Sequence, residues 1–139
     1  MSARRQPDRA ESQISNPLVQ VSLLGEAIDG ADLAMLVSDE EGRCIAVNRQ
    51  ACALLGYTRD ELLRLEVSDI VPESDSRECH RRVHATGRSE GIAKVLRSDG
   101  SPLALRYWST PTQVAQIRLV LSFSRPETTA AAAELAASR

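Results

Sequence analysis

Near the start of the chain, apolar residues recur every three or four positions, which is the spacing of one helix face. Asn16-Pro17 favours a helix start, since asparagine caps helices and proline fits the first helical position, and Gly30 stops the helix. We predict an amphipathic flanking helix over residues 14–30, with an apolar stripe of Ile14, Leu18, Val21, Leu24 and Ile28. This stripe either packs on its own domain or forms a dimer helix, and the pattern leaves both uses open.

The following segment changes from a strand period to a helix period at a single asparagine. Residues 33–38 are an apolar run of strand length, an acidic turn ends at Gly42, and residues 43–47 alternate like the second strand of a hairpin. Asn48 stands where a helix N-cap belongs, and Gly56 is placed to end that helix in a left-handed conformation. Thr58 and Glu61 form a capping box, which predicts a second short helix.

The second half of the chain predicts helices first and strands afterwards. A third helical piece covers residues 65–71, and a longer helix runs from residue 72 to residue 84, with Gly87 as its stop. Strands are predicted over residues 90–97, 101–109 and 116–124. In the last strand, alternation directs Ile117, Leu119, Leu121 and Phe123 inward, with Arg118, Val120 and Ser122 outward.

This order of elements predicts an α+β fold, a five-stranded antiparallel sheet with short helices across one face and an N-terminal amphipathic flanking helix. Residues 1–13 are polar and are expected to be a disordered tail. The folded domain is expected over residues 31–125, followed by an Ala-rich tail or helical stub over 126–139.

Composition and charge narrow the classes of function. A net charge of −2 and 3% aromatic residues favour neither phosphate attraction nor base stacking, so no direct nucleic-acid binding is expected. No apolar run reaches the roughly 18 residues of a membrane span, and no signal peptide is recognisable, so we expect a cytoplasmic protein without membrane association. Cys44, Cys52 and Cys79 lack metal-type spacing and are expected to be free thiols.

Several ordered motifs together resemble a PAS domain. The run SDEEGRCIAVNRQACALLGYTRDELL, residues 38–63, resembles the first half of that family, with strand, turn, strand ending in Asn, short helix, Gly-Tyr and an acidic turn. Residues 69–75 resemble the entry to the family's long helix, and residues 97–110 its Asp-Gly hairpin and fourth strand. The matching positions in the first run are Asp39, Gly42, Asn48, Ala51, Leu55, Gly56, Tyr57, Glu61 and Leu62. The resemblance covers roughly residues 32–124.

This resemblance implies a cavity between the helices and the sheet. Some relatives hold haem, flavin or a small metabolite there, whereas others hold nothing and act as dimerisation modules. The pocket-lining residues are expected to be Val47, Leu55, Tyr57, Ile70, Val83, Leu103, Leu105, Tyr107, Leu119 and Leu121. Because these side chains are mainly aliphatic, a small apolar metabolite is one candidate ligand. No bound cofactor at all is the other expectation.

Two cofactors of the family can be compared with this sequence residue by residue. The photoreceptor branch supplies a flavin-reactive cysteine from a segment that here reads LEVSDIVPES, residues 65–74, and contains no cysteine, so flavin–cysteine photochemistry is excluded from the expectations. The oxygen-sensing branch ligates haem iron through a histidine on the long helix, where this chain has His80 and His84. Alignment on Ala85-Thr86-Gly87 places that ligand nearer Ser76, and two partly solvated histidines without a ligand role are the other interpretation.

The resemblance also implies how the domain would signal. The family usually leaves its last strand through an Asp-Ile-Thr-like run, whereas Ser122-Phe-Ser124 stands there in this chain and Pro126 is expected to break the strand. Trp108 is expected on the outer sheet face, under the flanking helix or a partner subunit. Leu18, Val21, Leu24, Ile28 and Trp108 are therefore the predicted homodimer residues.

Together these features predict a non-catalytic sensory or interaction module of a signal-transduction or transcription-regulatory system. It would bind a small ligand or a partner protein, and its output would lie in a partner or an output domain outside this chain. A haem-based gas or redox sensor using His80 or His84 is the alternative. A small enzyme is a third class, but the sequence contains no nucleophile elbow, phosphate loop or acid–base pair to support it.

Overall fold

Helices and strands follow one another as the apolar pattern predicts. The computed structural model describes residues 15–127, so Ile14, most of the Ala-rich tail and the predicted N-terminal tail lie outside the described residues. The elements are α1 (Pro17–Asp29), β1 (Ala34–Asp39), β2 (Cys44–Val47), α2 (Arg49–Leu55), α3 (Arg59–Leu62), a 3-10 turn (Val67–Asp69), α4 (Glu73–Thr86), β3 (Ser89–Leu96), β4 (Pro102–Val114) and β5 (Ile117–Pro126). None of the helices in this part of the chain is long and apolar enough to cross a membrane.

The five strands form one antiparallel sheet in the order β2-β1-β5-β4-β3, which confirms the predicted α+β architecture. The first and last strands of the domain are therefore neighbours at the centre of the sheet. The helices between β2 and β3 cross one face, where α2 packs on β1 and α4 packs on β3 and β4. We call this the inner face and the opposite side the outer face.

Local capping signals position these helices where the sequence predicts them. The Thr58 side chain accepts a hydrogen bond from the Glu61 backbone N–H, and the Glu61 carboxylate accepts one from Thr58 N–H, which completes the capping box of α3. Gly56 ends α2 with φ 79° and Gly87 ends α4 with φ 83°, both in the left-handed region that favours glycine. Cys44, Leu62 and Val83 are the largest fully buried side chains.

The side chain of Asn48 joins three elements. Its Oδ1 accepts hydrogen bonds from Met35 N–H at 2.9 Å, at the start of β1, and from Ala51 N–H at 3.1 Å, in the first turn of α2. Its Nδ2 donates to the carbonyl oxygens of Ile28 at 2.7 Å and Leu33 at 2.8 Å. The amide thus uses both of its donors and both lone pairs of its acceptor while only 4% of the residue is exposed.

Side-chain bonds hold the C-terminal end of helix α1 to the rest of the described chain. Besides the bond from Asn48 to Ile28, Asp29 forms ion pairs with Arg49 at 3.2 Å and with Arg59. None of the thirteen residues of α1 is buried by the rest of the described chain. Within residues 15–127 the side chains of the apolar stripe therefore stay exposed, and the use of the stripe in association is a proposal.

The hairpin of β4 and β5 is longer than the sequence predicts. Its first residue pair is Leu105 with Pro126, and its last is Val114 with Ile117. Ala115 and Gln116 form the connection, with φ of 49° and 68°. Neither residue is a glycine or an asparagine, so the usual sequence signal for such a turn is missing.

The expectation that Pro126 breaks the last strand is wrong. Pro126 is paired beyond the end of β1, where β5 has a neighbour on one side only, and proline is tolerated at such an edge.

The predicted orientation of β5 is also wrong. Leu121 pairs with Thr110 and Phe123 with Trp108, which places both on the outer face together with Leu119. The inner face of β5 instead carries Val120, Ser122 and Ser124. The large apolar side chains lie outside because the sheet pairing sets the register, and a one-residue shift exchanges the two faces of a strand.

We predict that Asn48→Ala lowers the free energy of unfolding by about 2–4 kcal/mol, because it removes a helix cap and leaves buried carbonyl and N–H groups unpaired. Asn16→Ala is the matched control, since Asn16 caps α1 through one exposed hydrogen bond to Leu18 N–H, and it should cost at most about 1 kcal/mol. Urea denaturation followed by circular dichroism measures both. Equal losses in the two variants would contradict the structural role given to Asn48.

Candidate functional site

A cavity of about 380 Å³ lies between the helices and the inner face of the sheet. Strands β1, β3, β4 and β5 form its floor. Its roof consists of α2, the segment around the 3-10 turn, and α4. The roof contributes mainly aliphatic side chains near α2, including Leu54, Leu55 and Ile70. This size and this lining suit a small organic molecule with a large apolar surface.

The floor of the cavity carries a row of hydroxyl groups. Ser109 Oγ and Ser122 Oγ lie 2.8 Å apart on the paired strands β4 and β5, and Tyr107 OH lies 3.0 Å from Ser89 Oγ. Ser124 follows on the same face of β5. Each hydroxyl both donates and accepts, so these groups satisfy one another and still have capacity for a polar atom of a ligand. The cavity therefore has an apolar roof and a neutral polar floor.

Charged side chains are confined to the rim along α4. Glu78 accepts hydrogen bonds from Arg81 at 2.7 Å and from Arg82 at 3.1 Å. The hydrogen bond from Arg81 is the main reason why the pKa of the Glu78 carboxyl lies below its usual value. Asp75 lies further along the same rim. Because these charged side chains lie at the edge of the cavity, a ligand inside the cavity does not need a charge of its own.

Four of the predicted pocket residues lie in the lining of the cavity, namely Leu55, Ile70, Leu105 and Tyr107. Val47 and Val83 are buried, and Tyr57 and Leu103 pack against the core, but these four lie outside the lining. Leu119 and Leu121 were predicted to face the cavity and lie on the outer face, as described above. The sequence missed Ser109, Ser122 and Ser124, because small polar residues alternating with large apolar ones indicate a solvated face, not a ligand cavity.

His80 lines the cavity, whereas His84, one turn further on, lies beside a second, shallower depression. Their Nε2 atoms are 2.9 Å apart, so the two rings contact each other. The structure thus places one of the two predicted haem-ligand candidates at the cavity and directs its Nε2 toward the other histidine.

The three cysteines are free and differ in their surroundings. Burial raises the pKa of the Cys44 thiol to about 11, which makes this side chain unreactive at neutral pH. Burial likewise raises the pKa of Cys52. Cys79 lines the cavity from α4. The exclusion of flavin–cysteine chemistry therefore holds only for residues 65–74, which contain no cysteine, and does not extend to the whole cavity.

At the end of β5, an acidic residue occupies the exit from the sheet. Glu127 donates its backbone N–H to Ala104 O and receives a hydrogen bond from Arg106 Nε at 2.7 Å, with only 7% of the Glu127 side chain exposed. The sequence placed the coupling run at residues 122–124 and found no acid there, because it ended the strand too early. Glu127 supplies a buried carboxylate directly after the strand instead.

The outer face carries a partly exposed apolar surface. It includes Trp108, with the Arg125 guanidinium 5.5 Å from its ring centre, and it continues through Phe123 and Leu121 to Met35 and Val37 of β1. Trp108 remains 36% exposed, and no residue of α1 is buried. The predicted dimer residues of α1 are exposed as well, at 81% for Leu18, 69% for Val21, 62% for Leu24 and 38% for Ile28.

Comparison with solved structures supports the fold. A PAS domain from a two-component sensor histidine kinase superposes with a TM-score of 0.73 and 15% identity, covering 81% of this chain and 100% of that one. The PAS domain of an HTR-like protein from Haloarcula marismortui superposes with a TM-score of 0.70 and 20% identity, and the match covers 87% of this chain and 100% of that one. An RNA-binding Light-Oxygen-Voltage receptor gives 0.68 and 16%, covering 91% of this chain and 37% of that one. At these identities the likeness shows the fold alone.

Sequence comparison gives the family. A search of curated proteins found no match. The family model for the PAS fold, however, matches residues 23–124, which span the last part of α1, all the helices between β2 and β3, and the sheet as far as Ser124. This match covers most of the chain and agrees with the strand order, the caps and the cavity described above. The chain therefore belongs to the PAS fold family.

Proposed function

We propose that this PAS domain is a non-catalytic sensory module that binds a small, neutral, largely apolar molecule in its cavity and responds through α1 and the segment after β5. The observation that carries the proposal is the cavity of about 380 Å³, with its aliphatic roof and its row of floor hydroxyls. Burial of apolar surface would provide the affinity, and Ser109, Ser122 or Tyr107 would orient a polar atom of the ligand.

Both exits from the domain adjoin the walls of this cavity. Ala34 and Leu36 line it on either side of Met35, whose N–H donates to Asn48 Oδ1, and the same amide of Asn48 holds Ile28 at the end of α1. At the other exit, Tyr107 lines the floor and its neighbour Arg106 holds Glu127 after β5. A ligand that shifts β1 or β4 would therefore bias the direction of both flanking segments, as a population shift requires.

We further propose that the domain associates as a homodimer through α1 and the outer face of the sheet. Supporting this are the exposed apolar stripe of α1 and the partly exposed surface around Trp108 and Phe123. Isolated exposed apolar residues are common, but two extended apolar surfaces on one small domain are typical of interaction sites. The partner or output domain that reads the signal would contact this assembly.

No contact among the described residues favours haem or flavin as the occupant of the cavity. His80 Nε2 is occupied by its contact with His84, and its use as an axial ligand would require that contact to break. An absorption spectrum of the purified protein tests both cofactors. The proposal of a colourless ligand expects no bands in the visible region, and a Soret or flavin band would contradict it.

We predict that Ala93→Phe, which places a large ring in the cavity, weakens binding of the neutral apolar dye N-phenyl-1-naphthylamine at least tenfold. Ala93 lines the cavity from β3. Lys94→Phe is the matched control, because Lys94 follows it on the same strand and therefore points to the outer face. Dye fluorescence measures both affinities. Equal affinity in the Ala93→Phe and Lys94→Phe variants would contradict a ligand-binding cavity.

We predict that Val21→Glu converts the protein from dimer to monomer, because a charge in the middle of the apolar stripe would have to be buried at the interface. Leu63→Glu is the control, since Leu63 is an exposed apolar residue, 40% accessible, at the end of α3. Light scattering at high micromolar concentration gives the mass of each. A monomeric wild type, or a dimeric Val21→Glu variant, would be evidence against the proposed interface.

A further inference from the structure

The imidazoles of His80 and His84 converge on one point at the surface of α4. Their Nε2 atoms are 2.9 Å apart, while the ring centres are 4.3 Å apart, so the rings approach each other through their nitrogen edges. His84 is exposed and His80 is half-buried at the rim of the cavity, so ions in solution reach both nitrogens. His84 lies four positions after His80, which places the two histidines on one helix face.

Two such nitrogens form a chelate for a transition metal. In a neutral pair without metal, the tautomers decide which Nε2–H donates to the lone pair of the other Nε2. When a cation binds, that proton moves to Nδ1 of the same ring, and both rings turn so that their Nε2 lone pairs point to the metal instead of to each other. No oxidant or other reactant takes part, and a neutral pair releases no proton overall.

The short distance between the nitrogens suits some metals better than others. With metal–imidazole bonds of about 2.0–2.1 Å, nitrogens that are 2.9 Å apart subtend about 90° at the metal. That is the angle between adjacent ligands of a tetragonal Cu²⁺ or Ni²⁺ site, whereas a tetrahedral Zn²⁺ site needs the nitrogens further apart. Cu²⁺ also forms the strongest complexes of the divalent first-row metals.

We propose that His80 and His84 together form a two-histidine site for Cu²⁺ on α4. Within residues 15–127 no third His, Cys, Asp or Glu completes a metal cluster, and Glu78, which is near in sequence, is bound by Arg81 and Arg82. Water or a small anion therefore fills the other coordination positions. The site lies where the main cavity meets the shallow depression beside Glu40 and Thr112, and it does not depend on the function proposed for the cavity.

Titration of the untagged full chain with Cu²⁺ tests this proposal, in a Cys79→Ser background that removes the neighbouring thiol as a ligand and reductant. We expect one Cu²⁺ per chain, an electron paramagnetic resonance spectrum with two equatorial nitrogens, and weaker binding of Zn²⁺. His80→Gln and His84→Gln should each lower the Cu²⁺ affinity by about tenfold or more, while Arg81→Gln, on the same helix, should keep it.

The control variants make the outcome decisive. Both histidines are accessible, so their replacement should leave the fold intact, which circular dichroism checks. Cu²⁺ affinity unchanged by His80→Gln and His84→Gln would overturn the proposal and indicate binding elsewhere, for example at the α-amino group. A spectrum with a single nitrogen ligand, or tighter binding of Zn²⁺ than of Cu²⁺, would overturn the geometry on which it depends.

Discussion

The hydrogen bonds of the Asn48 side chain connect the end of α1, the start of β1 and the start of α2 at one buried point. Helix α1 buries none of its residues against the rest of the described chain, yet its last turn is held beside β1 and α2 because the Asn48 amide donates to Ile28 O and Leu33 O. The same amide accepts from Met35 and Ala51, so the start of the first strand and the start of α2 share one anchor. A buried amide is costly unless all its hydrogen bonds are made, and here they are.

The inner and outer faces of the sheet carry different kinds of side chain. On the inner face, small residues of β5 leave the cavity open above Ser122 and Ser124. The large residues of the same strand, Leu121 and Phe123, lie on the outer face beside Trp108, where they are available for association. This distribution reverses the common pattern in which large apolar residues fill the interior, and it agrees with our proposal of a ligand on one side of the sheet and a partner on the other. The ion pair of Arg106 and Glu127 then holds the chain as it leaves the sheet between these two faces.

The features that the sequence predicts correctly are those set by local chemistry. Asn48, the capping box of Thr58 and Glu61, and the left-handed Gly56 each act within a few residues, so their spacing alone indicates the hairpin and the short helices. The orientation of β5 and the length of β4 are set instead by pairing between strands, and no nearby residue indicates them. Ala115 and Gln116 take up positive φ without a glycine, and Pro111 and Pro126 lie in the strands where a neighbour is present on one side only. The serine floor of the cavity was missed for the same reason, since it follows from register.

The most direct test of the role of Asn48 in holding α1 is ¹⁵N relaxation of α1 in wild-type protein and in the Asn48→Asp variant, at a concentration where the chain is monomeric. Aspartate keeps the acceptor for Met35 and Ala51 but turns a second oxygen toward the carbonyl oxygens of Ile28 and Leu33. We expect wild-type order parameters near 0.85 in the last turn of α1, and values below about 0.6 there in the variant. The order parameters of β3 to β5 should be the same in both proteins. Order parameters of α1 that are the same in both proteins would contradict this role of Asn48.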